Sequence, residues 1–250
     1  MNGVKRQVSE FLEVNFLIQG FQFSKNGLES KSRAIEVIAN NLANVSSVGF
    51  KRSDIFSQSL RDAQTNSRAE PMPREVIDFA QGAIQVTGNP MDLALEGSGF
   101  FSIETNEGIR YTRQGNFKLD SQGFLTTPNG DYVLGDSGRI RVEGEMRFSD
   151  DGKVFINGEQ SDQLDIVNIS DKSKLFRAGN GLFGVSDERA VSEVPEGTKV
   201  RAGSLEASNV NAIEEMVKLI ETYRQFEADQ RALKAQDESL NKAVNDVGRV

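Results

Sequence analysis

The sequence predicts an α+β chain: N- and C-terminal helices that pair as a coiled-coil-like α-domain, with an all-β domain of many short strands inserted between them. Three observations predict it. Apolar residues recur every seven positions near the N-terminus, at Val14, Phe21, Leu28, Ile35 and Leu42. They recur every seven again near the C-terminus, at Leu219, Phe226, Leu233, Leu240 and Val247. Between these stripes the pattern shortens to alternating or apolar runs of a few residues, separated by Gly, Asn and Asp.

The seven-residue stripe is the narrow seam of a coiled coil. In the first stripe Ala34 and Ile38 flank the later positions, whereas Gly20, Asn26 and Gly27 weaken the earlier half, because glycine costs about 1 kcal/mol inside a helix. The spacing therefore predicts a helix over about 28–44, within a helical segment spanning 17–62. Ser46-Ser47-Val48-Gly49 ends it, with Gly49 as a left-handed residue and Phe50 as a core anchor. A polar stretch over 63–75, with Pro71-Met72-Pro73, reads as a linker. Over 76–203 short runs such as Asp92–Leu95, Phe100–Ile103, Tyr132–Leu134 and Lys153–Ile156 read as strands. Asn129-Gly130, Asp151-Gly152 and Asn157-Gly158 between them are tight-turn signals, since these residues tolerate positive φ. From 204 to 247 no Gly or Pro intervenes, which predicts one helix of about 35 residues. Ser208-Asn209 offers capping oxygens near its start, Glu214-Glu215 suits the positive end of its dipole, and Ile213, Met216, Ile220 and Tyr223 widen its apolar face. Two long stripes cannot bury themselves on a small β-domain, so the terminal helices are expected to pair. Their charges are mildly complementary: residues 1–62 carry net +2 and residues 206–250 net −3.

The 250 residues carry 29 basic and 37 acidic side chains and no His, Cys or Trp. A net charge of −8 argues against a nucleic-acid partner, which needs a dense basic surface. Without His or Cys there is no Ser-His-Asp triad, Cys-His dyad, HExxH helix or thiolate metal site. No apolar run is long enough to insert in a membrane, and the N-terminus lacks the apolar core and cleavage site of a secretory signal. Gly179-Asn180-Gly181-Leu182-Phe183-Gly184 fits a dinucleotide fingerprint. Pro195 leaves no room for the crossover helix such a site requires, so it reads as a glycine-rich turn with Leu182 and Phe183 in the core. Ser149–Gly152 and Asp120–Gly123 lack the full oxygen ladder of a calcium loop and read as hairpin turns. Phe100, Phe101, Tyr111 and Phe117 read as core. No catalytic, cofactor-binding or metal-binding residue and no small-molecule substrate is therefore predicted.

Four segments resemble the bacterial flagellar rod and hook proteins. They are Ile38-Ala-Asn-Asn-Leu-Ala-Asn-Val-Ser-Ser-Val-Gly-Phe-Lys-Arg52, Gly88-Asn-Pro-Met-Asp-Leu-Ala-Leu-Glu-Gly-Ser-Gly-Phe-Phe101, Tyr111-Thr-Arg-Gln-Gly-Asn-Phe-Lys-Leu-Asp120 and Gly203-Ser-Leu-Glu-Ala-Ser-Asn-Val-Asn211. They stand in the family's order and the resemblance covers about 17–250. The short spacer after the first helix and the C-terminal ending are most similar to proximal rod members, with distal rod members next. The family's pattern begins near Ile18, so residues 1–16 read as an extension. The resemblance implies a structural subunit of the flagellar basal-body rod spanning the periplasm. Its implied partners are copies of itself and other rod proteins, and it implies export through the flagellar type III apparatus without a cleavable signal. Under it the subunit-interface candidates are Leu28, Ile35, Ile38, Asn40, Asn41, Leu42, Asn44, Leu219, Phe226, Leu233, Leu240 and Val247. From the residues alone, the three asparagines serve equally well as cross-chain hydrogen-bond donors or as helix-end polar groups. The contrasting reading is a β-rich surface binding module with a coiled-coil oligomeriser.

Overall fold

The computed structural model describes residues 24–56, 74–195 and 197–247, without the side chains of 56, 240 and 242–247. The seam positions Val14 and Phe21, the extension 1–16 and most of the 63–75 linker lie outside the described residues. The chain divides into two compact units. One gathers the described residues of 1–42, 53–76 and 211–250; the other consists of 43–52 and 77–210.

The first unit holds a helix over residues 24–43, here α1, and the 36-residue helix Ala212–Val247, here α2. A two-stranded sheet joins Ser53–Phe56 to Arg74–Ile77. The helix begins at Ala212, eight residues later than the expected 204, because Ser204–Glu206 pairs with Ile84–Val86 as a strand. Its cap is Asn211, whose Oδ1 accepts from the Ile213 amide at 3.1 Å, while Nδ2 donates to Glu214 at 3.1 Å. The Asn211 side chain thereby satisfies the otherwise orphaned Ile213 amide and is itself held by Glu214. Ser208 and Asn209 precede it, and Asn209 is used within the β-rich unit.

The second unit is antiparallel throughout its described pairings. Phe100–Thr105 is central to its largest sheet. It pairs with Gly108–Thr112 in the register Phe101↔Thr112 to Thr105↔Gly108, and with Tyr132–Gly135 through Ile103↔Val133. Ile166–Ile169 pairs with its start, through Val167↔Phe100. Because side chains alternate across a strand, neighbouring phenylalanines serve two clusters. Phe101 packs edge-on against Phe117 in the main core with Leu93, Leu95, Leu125 and Val133. Phe100 joins Phe79 and Phe183 in mutual edge-to-face contacts in the second cluster. The glycine-rich 179–184 segment turns the hairpin of Leu175–Gly179 and Leu182–Val185, and its Leu182 and Phe183 are buried.

Two short pairings bring the ends of this unit together. Leu93–Glu96 pairs with Lys199–Ala202, and Ile84–Val86 pairs with Ser204–Glu206. The 43–52 segment docks onto the same region. Gly49 donates its amide to the Glu206 carbonyl at 2.7 Å and has φ +63°. A Cβ on it would lie 2.5 Å from the Arg113 carbonyl carbon, so both conformation and space demand glycine there. Phe50 is buried, with the Arg177 guanidinium 4.6 Å from its ring centroid.

Candidate assembly interface

Within the helical unit, side-chain hydrogen bonds link α1 to α2 in antiparallel order. Ser24 donates to Gln236 at 3.4 Å, Lys31 to Gln225, and Asn41 to Glu215 at 3.1 Å. The less exposed α2 positions include Ala212, Glu215, Leu219, Thr222, Phe226, Asp229 and Leu233. Their separations alternate between three and four residues, which is the heptad period.

The predicted positions divide on this scaffold. Leu28, Ile35 and Leu42 on α1 and Leu219, Phe226 and Leu233 on α2 are half-buried, and Ile38 is buried. Asn40 is exposed and Asn44 half-buried, accepting from the Ser47 hydroxyl at 3.0 Å. Leu240 and Val247 lie on α2, with side chains outside the described set. Asn41 is buried and spends its amide inside the chain. Its Nδ2 donates to the Ser53 carbonyl at 2.7 Å and its Oδ1 accepts from the Ser53 amide at 2.9 Å. A single amide thus clips α1 to the 53–56 strand and to buried Glu215.

A second apolar stripe lies outside the heptad seam. Ile213 is 74% exposed, Val217 50% and Ile220 55%, with Met216 and Tyr223 exposed beside them. These residues share one helix face by their three- and four-residue spacing. The sequence suggested that Ile213, Met216, Ile220 and Tyr223 widen the apolar face of the seam. The difference is angular, because each stands a residue or two off the seam positions and rotates about 100° per step.

The β-rich unit contains a buried ionic junction. Glu206 is fully buried, as is Lys51. The Glu206 carboxylate accepts from Lys51 Nζ at 2.5 Å, from Arg113 Nη1 at 3.2 Å and from the Gly82 amide at 2.9 Å. Lys51 Nζ also donates to the Ala80 carbonyl at 2.7 Å, and Arg113 Nη2 to Gly97 at 2.7 Å. Burial pulls the Lys51 ammonium below its ordinary pKa, against the opposing pull of Glu206. Burial likewise lowers Arg113, again opposed by Glu206. Charged groups this deep persist only where paired and hydrogen-bonded. Sequence reasoning missed all three. The available signal was that each charge sits in a segment carrying the family resemblance and beside Gly or aromatic residues: Phe50-Lys51, Arg113-Gln-Gly115 and Gly203-Ser-Leu-Glu206. The junction ties the three segments together in space.

Those segments match known family models. Residues 21–51 match "Flagella basal body rod protein", 94–158 match "Flagellar hook protein FlgE/F/G D1 domain", and 201–246 match "Flagellar basal body rod FlgEFG protein C-terminal". A flagellar basal-body rod protein FlgG of Buchnera aphidicola is 32% identical, covering 90% of this chain and 98% of the relative. The chain belongs to the flagellar basal-body rod protein family. A FlgF rod protein of Caulobacter vibrioides is also 32% identical, over 87% of this chain and 93% of its own. A Bacillus subtilis FlgG is 32% identical, over 88% and 96% respectively. Members of this family are structural proteins of the flagellar basal body. Among the described residues no helix is long and apolar enough to cross a membrane.

Proposed function

We propose that this chain is a structural subunit of the proximal flagellar rod that polymerises through its terminal helices. The observation that carries the reading is the solvent-facing stripe of Ile213, Met216, Val217, Ile220 and Tyr223, beside the face of α2 that Glu215 turns toward α1. Such a face is stable in water only when another surface covers it. In this reading α1 and α2 form an antiparallel coiled-coil hairpin on the Leu28, Ile35, Ile38, Leu42, Leu219, Phe226 and Leu233 seam. Leu240 and Val247 extend that seam, and the exposed stripe with Asn40 and Asn44 meets neighbouring copies and other rod proteins. Head-to-tail contacts of this kind generate an open helix rather than a closed ring. Many weak repeated contacts then carry torque along a drive shaft. The chain reaches the periplasm through the flagellar type III export apparatus.

Quantitative mass spectrometry of purified hook–basal bodies tests this. A few copies per particle are expected. A few tens would move the chain to the distal rod, and absence beside the other rod proteins would overturn the reading.

A further inference from the structure

The chain has five Met and no Cys, so all of its oxidisable sulfur is thioether. Met91, Met146 and Met216 fall among the described residues. Met146 is buried in the main core of the β-rich unit, and Met91 is half-buried against the same core. Met216 is different, at 47% exposed on α2. It stands in the middle of the solvent-facing stripe. Ile213 lies three residues before it and Ile220 four after, so both flank it on one helix face. Val217 is adjacent, and the Tyr223 hydroxyl belongs to a residue two turns away.

Two properties therefore meet in one side chain. Its sulfur is open to a dissolved oxidant, and its immediate surroundings are apolar. In water a sulfoxide at this position is solvated and costs the free chain little. Pressed into an apolar contact, the same oxygen is a polar group that Ile213, Val217 and Ile220 cannot satisfy.

We propose that Met216 is an oxidation site that controls assembly: a peroxide converts its thioether to the sulfoxide, and the oxidised chain is excluded from the rod. The inference rests on the reading that this stripe is covered in the polymer. With hydrogen peroxide, a sulfur lone pair attacks one peroxide oxygen, so that an S–O bond forms as the O–O bond breaks. The other oxygen leaves as hydroxide and takes up the proton of the transferred one, giving water. Sulfur is oxidised by two electrons and the peroxide is reduced by the same two.

The chemistry is tested on the purified full chain by limited treatment with hydrogen peroxide and peptide mass spectrometry. Met216 should oxidise at least about tenfold faster than core Met146, following exposure. Equal rates would overturn the proposal. The helical circular dichroism of the oxidised chain should match that of the untreated chain. Loss of that signal would overturn it as well, by making the sulfoxide a fold defect.

The consequence is tested in cells by comparing Met216→Gln, a polar stand-in for the sulfoxide, with Met216→Leu, which stays apolar and has no sulfur. Quantitative mass spectrometry of basal bodies should find the glutamine chain at least about tenfold scarcer than the leucine chain, the effect of one unsatisfied polar group in an apolar contact. Equal incorporation of the two, high or low, would overturn the proposal, since polarity at 216 would then decide nothing. Ile220→Asp separates the two levels of the argument. If it is blocked while the two Met216 variants are alike, the oxidation site alone falls. If it incorporates normally, the covered stripe falls and takes the oxidation site with it.

Discussion

Among the described residues the β-rich unit holds nearly every buried apolar side chain, from Phe50 through the Leu93–Val200 clusters to Val210, whereas the helical unit holds Ile38. Along the 36 residues of α2 the described buried side chain is a carboxylate, Glu215. Helices draw most of their stability from burying a face rather than from propensity. One unit therefore buries its own core, whereas the other leaves most of the described α2 side chains uncovered. The polar nodes follow the same division. The β-rich unit can bury a full ionic junction because its surroundings are packed on every side. The helical unit uses a neutral amide, Asn41, to reach a strand and a carboxylate.

The largest effect that would test this contrast comes from Glu206→Ala. It leaves Lys51 and Arg113 as unpaired buried cations, and breaking a buried pair costs about 3–5 kcal/mol. Urea denaturation of the full chain should show that loss in the transition reported by Tyr111 and Tyr132. Lys51→Met leaves Arg113 and Glu206 balanced, so a distinctly smaller loss is expected. Equal losses would mean that the junction acts as packing rather than as charge.

Asn41→Ala should cost less, about 1–3 kcal/mol, the range for deleting a buried hydrogen-bonding group beside a charged one. Amide hydrogen exchange is the appropriate readout. Protection should fall in 38–42, 53–55 and 212–222 and hold in 100–135. Asn41→Asp should be worse, because it replaces the donor with a carboxylate facing Glu215. A loss spread evenly over both units would contradict their separation.

These variants also mark what the sequence could reveal. Periodicity exposed α1 and α2, because a heptad is a local pattern. Turn chemistry exposed Gly49 and the hairpins for the same reason. Lys51, Arg113 and Glu206 were illegible. A charge reads as surface unless its partner is known, and here Lys51 and Glu206 stand 155 residues apart. The 53–56 and 74–77 pairing escaped because four-residue strands carry almost no period. Ile213, Met216, Ile220 and Tyr223 were recognised as apolar but assigned to the wrong face, since a broad stripe and two narrow ones look alike in one dimension.

A smaller effect lies in pH. The folded pKa of Lys51 is depressed below its ordinary 10.5. Between the two values the unfolded chain binds more protons than the folded one, so stability from this group rises with pH across that window. Below the window the buried ammonium is a standing cost. On moving from pH 8 toward pH 10, the urea midpoint of the unmodified chain should therefore gain on that of Lys51→Met. A gap that narrows instead would mean that Glu206 outweighs burial at Lys51.

The smallest effect on the monomer is the most informative about the helical unit. Ile220 is already 55% exposed, so Ile220→Asp removes little buried area. Surface changes of this kind stay within about 0.5 kcal/mol. In a polymer the same carboxylate would be driven into an apolar contact, where burial of an unpaired charge is prohibitive. Unchanged unfolding with lost incorporation into basal bodies would assign the stripe to neighbouring copies. Leu233→Asp, on the half-buried seam, should instead loosen α2 within the monomer as well as block assembly. Normal incorporation of Ile220→Asp would show that the stripe stays wet in the rod, and polymerisation would then have to run through the seam itself.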